Sequence, residues 1–154
     1  MNSKNIITIV VAFLSGLSIL SYFDERTLFL ATLLLSILTI KTINNRINKD
    51  KNFDTKDIAI NSFAGIWFAL SIAPAFGVTS KEIFLFENGF LIQAILSIIF
   101  FILFMSMKIS IIGRIEENYR GGVGVVASAI IAGAAAGISS SSLWQVYLQL
   151  QHMF

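Results

Sequence analysis

The residues able to do chemistry are few and mostly lie between apolar stretches. From Lys41 to Asp57 the chain mixes Lys41, Arg46, Lys49, Lys51 and Lys56 with Asp50, Asp54 and Asp57. Such a stretch is either an ordinary solvated loop or a contact for anionic headgroups, which attract juxtamembrane cations by about 1 kcal/mol each. A second polar stretch, Lys108 to Arg120, holds Arg114, Glu116 and Glu117 and runs into the glycine turn Gly121, Gly122, Gly124. Backbone amides at such a turn can meet an anion where a helix begins; tight helix packing is the plainer reading. Gly122, Gly124 and Ala127 also fit a GxGxxA spacing, but no strand precedes it and no βαβ unit surrounds it, which argues against a dinucleotide site. Asn61, Ser62, Gln93 and Ser128 lie inside apolar segments, where neutral polar groups hydrogen-bond across helices and act as structural glue. The chain has no Cys and a single His, His152, which rules out thiolate and multi-His metal centres. His152 reads as a tail residue.

Those residues are positioned by an apolar framework. Of 154 residues, 56% are hydrophobic and 13% charged, against about 25% charged in soluble domains. The net charge of +2 gives no case for nucleic-acid binding. The length fits one domain, residues 1–154. A membrane-spanning helix needs about 20 apolar residues, and five segments approach this: Ile6–Phe23, Leu28–Ile43, Ile58–Gly77, Phe90–Ile112 and Val123–Tyr147. The second is the weakest, because its uninterrupted apolar part stops near Ile40; a re-entrant or buried helix is its alternative. The first has no small-residue cleavage site behind it and reads as a retained helix rather than a signal peptide. The expected fold class is therefore all-α, an integral membrane helical bundle.

If all five segments cross, Lys4, Lys41, Arg46, Lys49, Lys51, Lys56, Lys108, Arg114 and Arg120 share one side, and only Arg26 and Lys81 the other. Cytoplasmic loops carry the Lys and Arg excess. The expected placement is thus multi-pass in a bacterial inner membrane, N-terminus cytoplasmic, with Trp144 and Tyr147 in the outer aromatic belt. No Asp, Glu, Lys or Arg lies well inside a segment, which disfavours a proton relay or ion pathway.

In the last segment Gly124, Ser128, Ala132, Ala136 and Ser140 recur four apart, with the Gly133/Gly137 pair beside them. Small residues let backbones approach closely in lipid. The surface so formed packs against the chain's own helices or, alternatively, against a membrane partner or a second copy.

Two stretches resemble the bacterial phosphatidylglycerophosphatase A family: Asp54 to Pro74, DTKDIAINSFAGIWFALSIAP, and Phe101 to Gly133, ending NYRGGVGVVASAIIAG. SGLS at Ser15 to Ser18 is a weaker echo. Matching residues are Asp54, Gly65, Pro74, Lys108, Gly121, Gly122, Gly124 and Gly133, with Glu116 in place of a family Asp. The resemblance implies a lipid phosphatase that removes the phosphate of phosphatidylglycerophosphate to give phosphatidylglycerol, using Mg²⁺ held by carboxylates.

The chemical positions depart from that pattern. Asn61 and Ser62 stand where the family has an Asp-Glu pair, and Ser128 and Ala129 where it has an Asp-Asp pair. Ile102 and Met105 replace an Arg and an Asp, Ile109 and Ile111 replace two prolines, and YFDERT at Tyr22 to Thr27 stands in place of a Pro-Gly-Thr loop. A charge at membrane depth costs about 2.5 to 3.5 kcal/mol, so neutral replacements suit a scaffold released from metal and substrate. The leading expectation is a pseudoenzyme of phospholipid metabolism or membrane structure, with no metal cofactor. Any remaining headgroup contact would fall to Lys108, Arg114, Arg120 and the glycine turn. Two alternatives stand beside it. In one, Asp54, Asp57, Glu116, Glu117 and Lys108 form a relocated Mg²⁺-dependent phosphate site. In the other, the chain is a small helical scaffold or a subunit of a membrane complex, using the Gly133/Gly137 face.

Overall fold

The computed structural model describes residues 3–49, 60–72, 90–107, 110–119 and 121–153. Among the described residues six helices follow one another: α1 (Ser3–Tyr22), α2 (Glu25–Lys49), α3 (Ile60–Ile72), α4 (Phe90–Met107), α5 (Ser110–Asn118) and α6 (Gly122–Met153). The fold is an all-α bundle, as expected, with most helix boundaries moved and a sixth helix added.

The second segment does not stop near Ile43. Helix α2 runs on through Lys49, so Lys41–Lys49, expected as loop, is helical. The cause is tertiary: Ile43 and Ile47, one turn apart, close on Val125 and Val126 of α6 in a small apolar cluster. The fourth segment ends at Met107 instead of Ile112, and much of the expected loop from Lys108 to Arg120 is the separate helix α5. Its sequence SIIGRIEEN buries Ile112 and exposes Arg114 and Glu117, so it lies against α6 on one side only. Helix α6 begins one residue earlier than expected and continues six further, to Met153. The third helix is described over Ile60–Ile72; the expected flanks 58–59 and 73–77 lie outside the described residues. Between α1 and α2 the chain turns in two residues, and the Asp24 carbonyl accepts the amides of Thr27 (3.0 Å) and Leu28 (3.3 Å) to start α2.

Helix α3 is the centre, touching α1, α2, α4 and α6. The order of contacts fixes the directions. Ala12 and Ser15 meet Trp67, and Gly16 meets Leu70, so α1 and α3 run parallel. Gly65 meets Gly133 and Ala69 meets Gly137, so α6 runs parallel to both. Helix α4 is antiparallel to them, because its early residue Gln93 bonds to Ser141, late in α6, while Phe101 reaches Gly65. The end of α2 meets the start of α6 at Ile40 and Gly122. The bundle therefore alternates up and down, and Lys41, Arg46, Lys49 and Gly121 gather at one end.

Polarity is inverted relative to a water-soluble bundle. Helix α2 buries Leu28, Thr32, Ser36, Thr39 and Ile43, yet leaves Leu30, Leu34, Ile37 and Leu38 each 60% exposed or more. The buried hydroxyls are satisfied within the helix: Thr32 donates to the Leu28 carbonyl, Ser36 to Thr32 and Thr39 to Leu35, each at 2.7 Å. Small hydroxyl side chains bring helices close, and the bulky aliphatics turn outward, as suits hydrocarbon surroundings. Helix α1 does the same with Ile7, Val10, Val11 and Leu14, and α4 with Ile92, Ile95, Ile99 and Leu103. Apolar faces this extensive are not left in contact with water. Helices α2 and α6 are long and apolar enough to cross a membrane; the other apolar helices, α1, α3 and α4, are shorter.

Candidate functional site

Of the positions that the family resemblance marks for chemistry, Ser62, Ile102, Met105, Ser128 and Ala129 lie on α3, α4 and α6, which cross at Gly65, whereas Tyr22–Thr27 lies at the α1–α2 turn. Gly65 makes the crossing close. A Cβ there would overlap the Phe101 ring and stand 2.7 Å from the Ala129 carbonyl oxygen. One turn further, a Cβ on Gly133 would overlap the Gly65 carbonyl. Around this contact Ala129 and Ala132 are fully buried and Phe101 nearly so. Ile102 and Met105 are partly buried and pack on the same core. Ser128 is 2% exposed, and its hydroxyl donates to the Val125 carbonyl of its own helix at 2.8 Å. Ser62 is half-buried near the start of α3; the Asn61 side chain lies outside the described residues.

A divalent cation of the Mg²⁺ type needs several oxygen ligands, carboxylates above all, in octahedral array. Ala129, Ile102 and Met105 present no oxygen donor, and the Ser128 hydroxyl is turned to its own backbone. The described side chains of this crossing do not fit such an ion. They fit each other, as a packed core.

The second candidate is the glycine turn. Gly121 adopts φ +88, a left-handed conformation that glycine reaches without penalty. Its neighbours are constrained by contact: a Cβ on Gly122 would come within 2.7 Å of the Ile40 carbonyl oxygen, and one on Gly124 would overlap the Tyr119 carbonyl. The Gly122 amide, one of the orphan donors of the α6 N-terminus, is held by Asn44 Oδ1 at 2.8 Å. Arg114 is exposed on α5, as are Lys41, Arg46 and Lys49 on the last turns of α2. Lys108, Arg120, Asp54 and Asp57 lie outside the described residues, and so does the side chain of Glu116. Among the described residues no three Asp, Glu, His or Cys side chains come together in a metal-binding group.

Gly133 and Gly137 both turn toward α3. Gly137 sits against the Ala69 carbonyl and Ile72, where a Cβ would stand 2.9 and 3.1 Å away. This part of the small-residue stripe is therefore occupied inside the chain. Three features escaped the sequence reading. Asn44 caps a helix other than its own, and nothing in its neighbourhood signals that. Trp67 donates its indole N–H to the Ala12 carbonyl at 2.9 Å and to Ser15 Oγ at 3.2 Å; an apolar helix with one Trp gives no hint of such a partner. Between α4 and α6 a buried polar seam joins Gln93 Nε2 to Ser141 Oγ (2.7 Å) and pairs the hydroxyls of Ser97 and Ser140 (2.6 Å). Gln93 was legible as a bridging residue, its serine partners were not.

Fold and packing define a membrane helical bundle built on close glycine-mediated crossings. The family model for phosphatidylglycerophosphatase A matches residues 5–143. The chain belongs to that family, which is membrane-associated and carries phosphatidylglycerophosphatase-like function. No curated protein and no solved structure matches the chain.

Proposed function

We propose that this chain is a catalytically degenerate member of the phosphatidylglycerophosphatase A family, a multi-pass protein of the bacterial inner membrane with a structural and lipid-contacting role. The observation that carries the reading is the packing at the α3–α4–α6 crossing. Ala129, Ile102 and Met105 stand where the family resemblance places Asp, Arg and Asp, and their side chains are part of the apolar core. Metal-assisted phosphate-ester hydrolysis relies on the ion both to polarise the phosphoryl group and to lower the pKa of the attacking water. A core of this composition offers neither the ion's ligands nor a base.

The alternating helix directions support the membrane placement, because they gather Lys41, Arg46 and Lys49 with the α5–α6 turn on one side. Cation-rich ends face the cytoplasm, which puts the N-terminus there too. At that level the same cations meet anionic headgroups.

The test is phosphate release. The purified full chain is incubated with vesicles containing phosphatidylglycerophosphate, with and without added Mg²⁺. The expected result is no release above the protein-free control under either condition. Mg²⁺-dependent release would overturn the proposal.

A further inference from the structure

At the end of the bundle away from the glycine turn, α4 and α6 flank an open groove of about 360 Å³. It is lined by Ile92 and Leu96 on α4 and by Leu143, Trp144 and Tyr147 on α6. The Trp144 and Tyr147 rings lean together at one rim, centroids 5.3 Å apart and tilted by 31°. We propose that this groove holds one acyl chain of a bilayer phospholipid, with its headgroup beside Trp144 and Tyr147.

Three observations select that occupant. The lining is apolar side chain throughout apart from the indole N–H and phenol, the two groups that favour the headgroup level of a membrane. The groove opens onto the outward aliphatic stripe of α4, Ile92, Ile95, Ile99 and Leu103, so a chain lying in it stays continuous with surrounding lipid. Its depth excludes a lipid whose headgroup sits at the basic end. Trp144 is about 33 Å further along α6 than Gly122 at 1.5 Å per residue, whereas the whole hydrocarbon core is about 30 Å thick. The occupant therefore belongs to the leaflet opposite Lys41, Arg46 and Lys49. It is a bound structural lipid and not the tail of a substrate presented to the family's phosphate chemistry. This inference rests on the membrane placement and stands whether or not phosphate release survives.

The experiment is native mass spectrometry of the full chain extracted from membranes in mild detergent. A population carrying one mass increment of a phospholipid is expected. Leu96→Trp, which fills the groove, should lower that population about tenfold, and Leu34→Trp, on the outward face of α2 and outside the groove's lining, should leave it unchanged. Ile92→Trp, at a half-exposed position, serves as the second filling variant should Leu96→Trp not fold. Three results would overturn the proposal: no phospholipid increment on the unmodified chain, an increment indifferent to both filling variants, or a two-chain mass that collapses to one chain with them. The last would make the groove's occupant a second copy.

Discussion

Asn44, near the end of α2, accepts a hydrogen bond from the Gly122 amide at the start of α6, at 2.8 Å. An N-cap is usually supplied by the residue just before the helix. Here that place is taken by Gly121 in its left-handed conformation, and the acceptor comes from another helix 78 residues away in sequence. Removing a cap acceptor costs about 0.5–2 kcal/mol. Asn44→Ala should lower the free energy of unfolding in detergent by that amount, while Asn44→Asp, which keeps the acceptor and adds a favourable charge near the helix N-terminus, should hold or raise it. Equal losses in both variants would show that the bond does not contribute.

The crossing of α3 and α6 is set by glycines. Gly133→Ala puts a Cβ into the Gly65 carbonyl, and the main chain can yield only by separating the helices. Overpacking of this kind costs typically 1–3 kcal/mol. Gly137→Ala meets the Ala69 carbonyl oxygen at 2.9 Å, a milder conflict, so its loss should be the smaller. Unfolding midpoints measured side by side give the order; a Gly137→Ala loss exceeding that of Gly133→Ala would contradict the geometry.

Which parts of this were open to sequence reasoning follows from the range of each interaction. Apolar runs and their polar borders are local, so the helices and the glycine turn were legible from Ile6, Phe90 or Gly121 alone. Helix ends that depend on a partner were not. Polar Lys41–Lys49 looks like loop until Ile43 and Ile47 are seen closing on Val125 and Val126. The α5 helix was hidden because its apolar residues extend the run of α4 in sequence. At the candidate site the replaced positions Ile102, Met105, Ser128 and Ala129 could be read one by one. That the Ala129 carbonyl and the Phe101 ring both close on Gly65 required three helices to be placed together.

Trp67 tethers α3 to α1 through a single N–H. Trp67→Phe keeps most of the ring packing against Gly16 and Phe63 but leaves the Ala12 carbonyl without that donor. A hydrogen bond of this type contributes about 0.5–1.5 kcal/mol. The variant should lose that much unfolding free energy in detergent, with unchanged helix content by circular dichroism.

The polar seam between α4 and α6 predicts a measurable coupling. Ser97 and Ser140 share a hydroxyl–hydroxyl bond at 2.6 Å; with one hydrogen each, one donates across it while the other donates to a carbonyl of its own helix, Gln93 at 3.0 Å for Ser97 or Gly137 at 2.9 Å for Ser140. Each hydroxyl thus keeps a partner when the other is removed, and the coupling should be modest. A double-mutant cycle with Ser97→Ala and Ser140→Ala should return about 0.6 kcal/mol, the usual size for such bonds in membranes. A coupling of zero would mean that the intrahelical bonds alone account for both hydroxyls.

The strongest contrast concerns charge at the family's acidic positions. Ala129 is fully buried with its carbonyl oxygen beside Gly65, and no described cation lies in that contact. An Asp placed there must either stay ionised at membrane depth, at about 2.5–3.5 kcal/mol on insertion scales, or take up a proton and still force its volume between α3 and α6. Ala129→Asp should therefore destabilise the bundle by about that amount or more, and added Mg²⁺ should not restore it. Ala129→Asn, with nearly the same volume and no charge, separates the two causes: it should suffer the steric part alone. Should Ala129→Asp instead fold as well as the unmodified chain and gain stability with Mg²⁺, the crossing would retain a metal-binding capacity that its present side chains conceal, and the degenerate reading would have to yield to one in which a single carboxylate is the missing part.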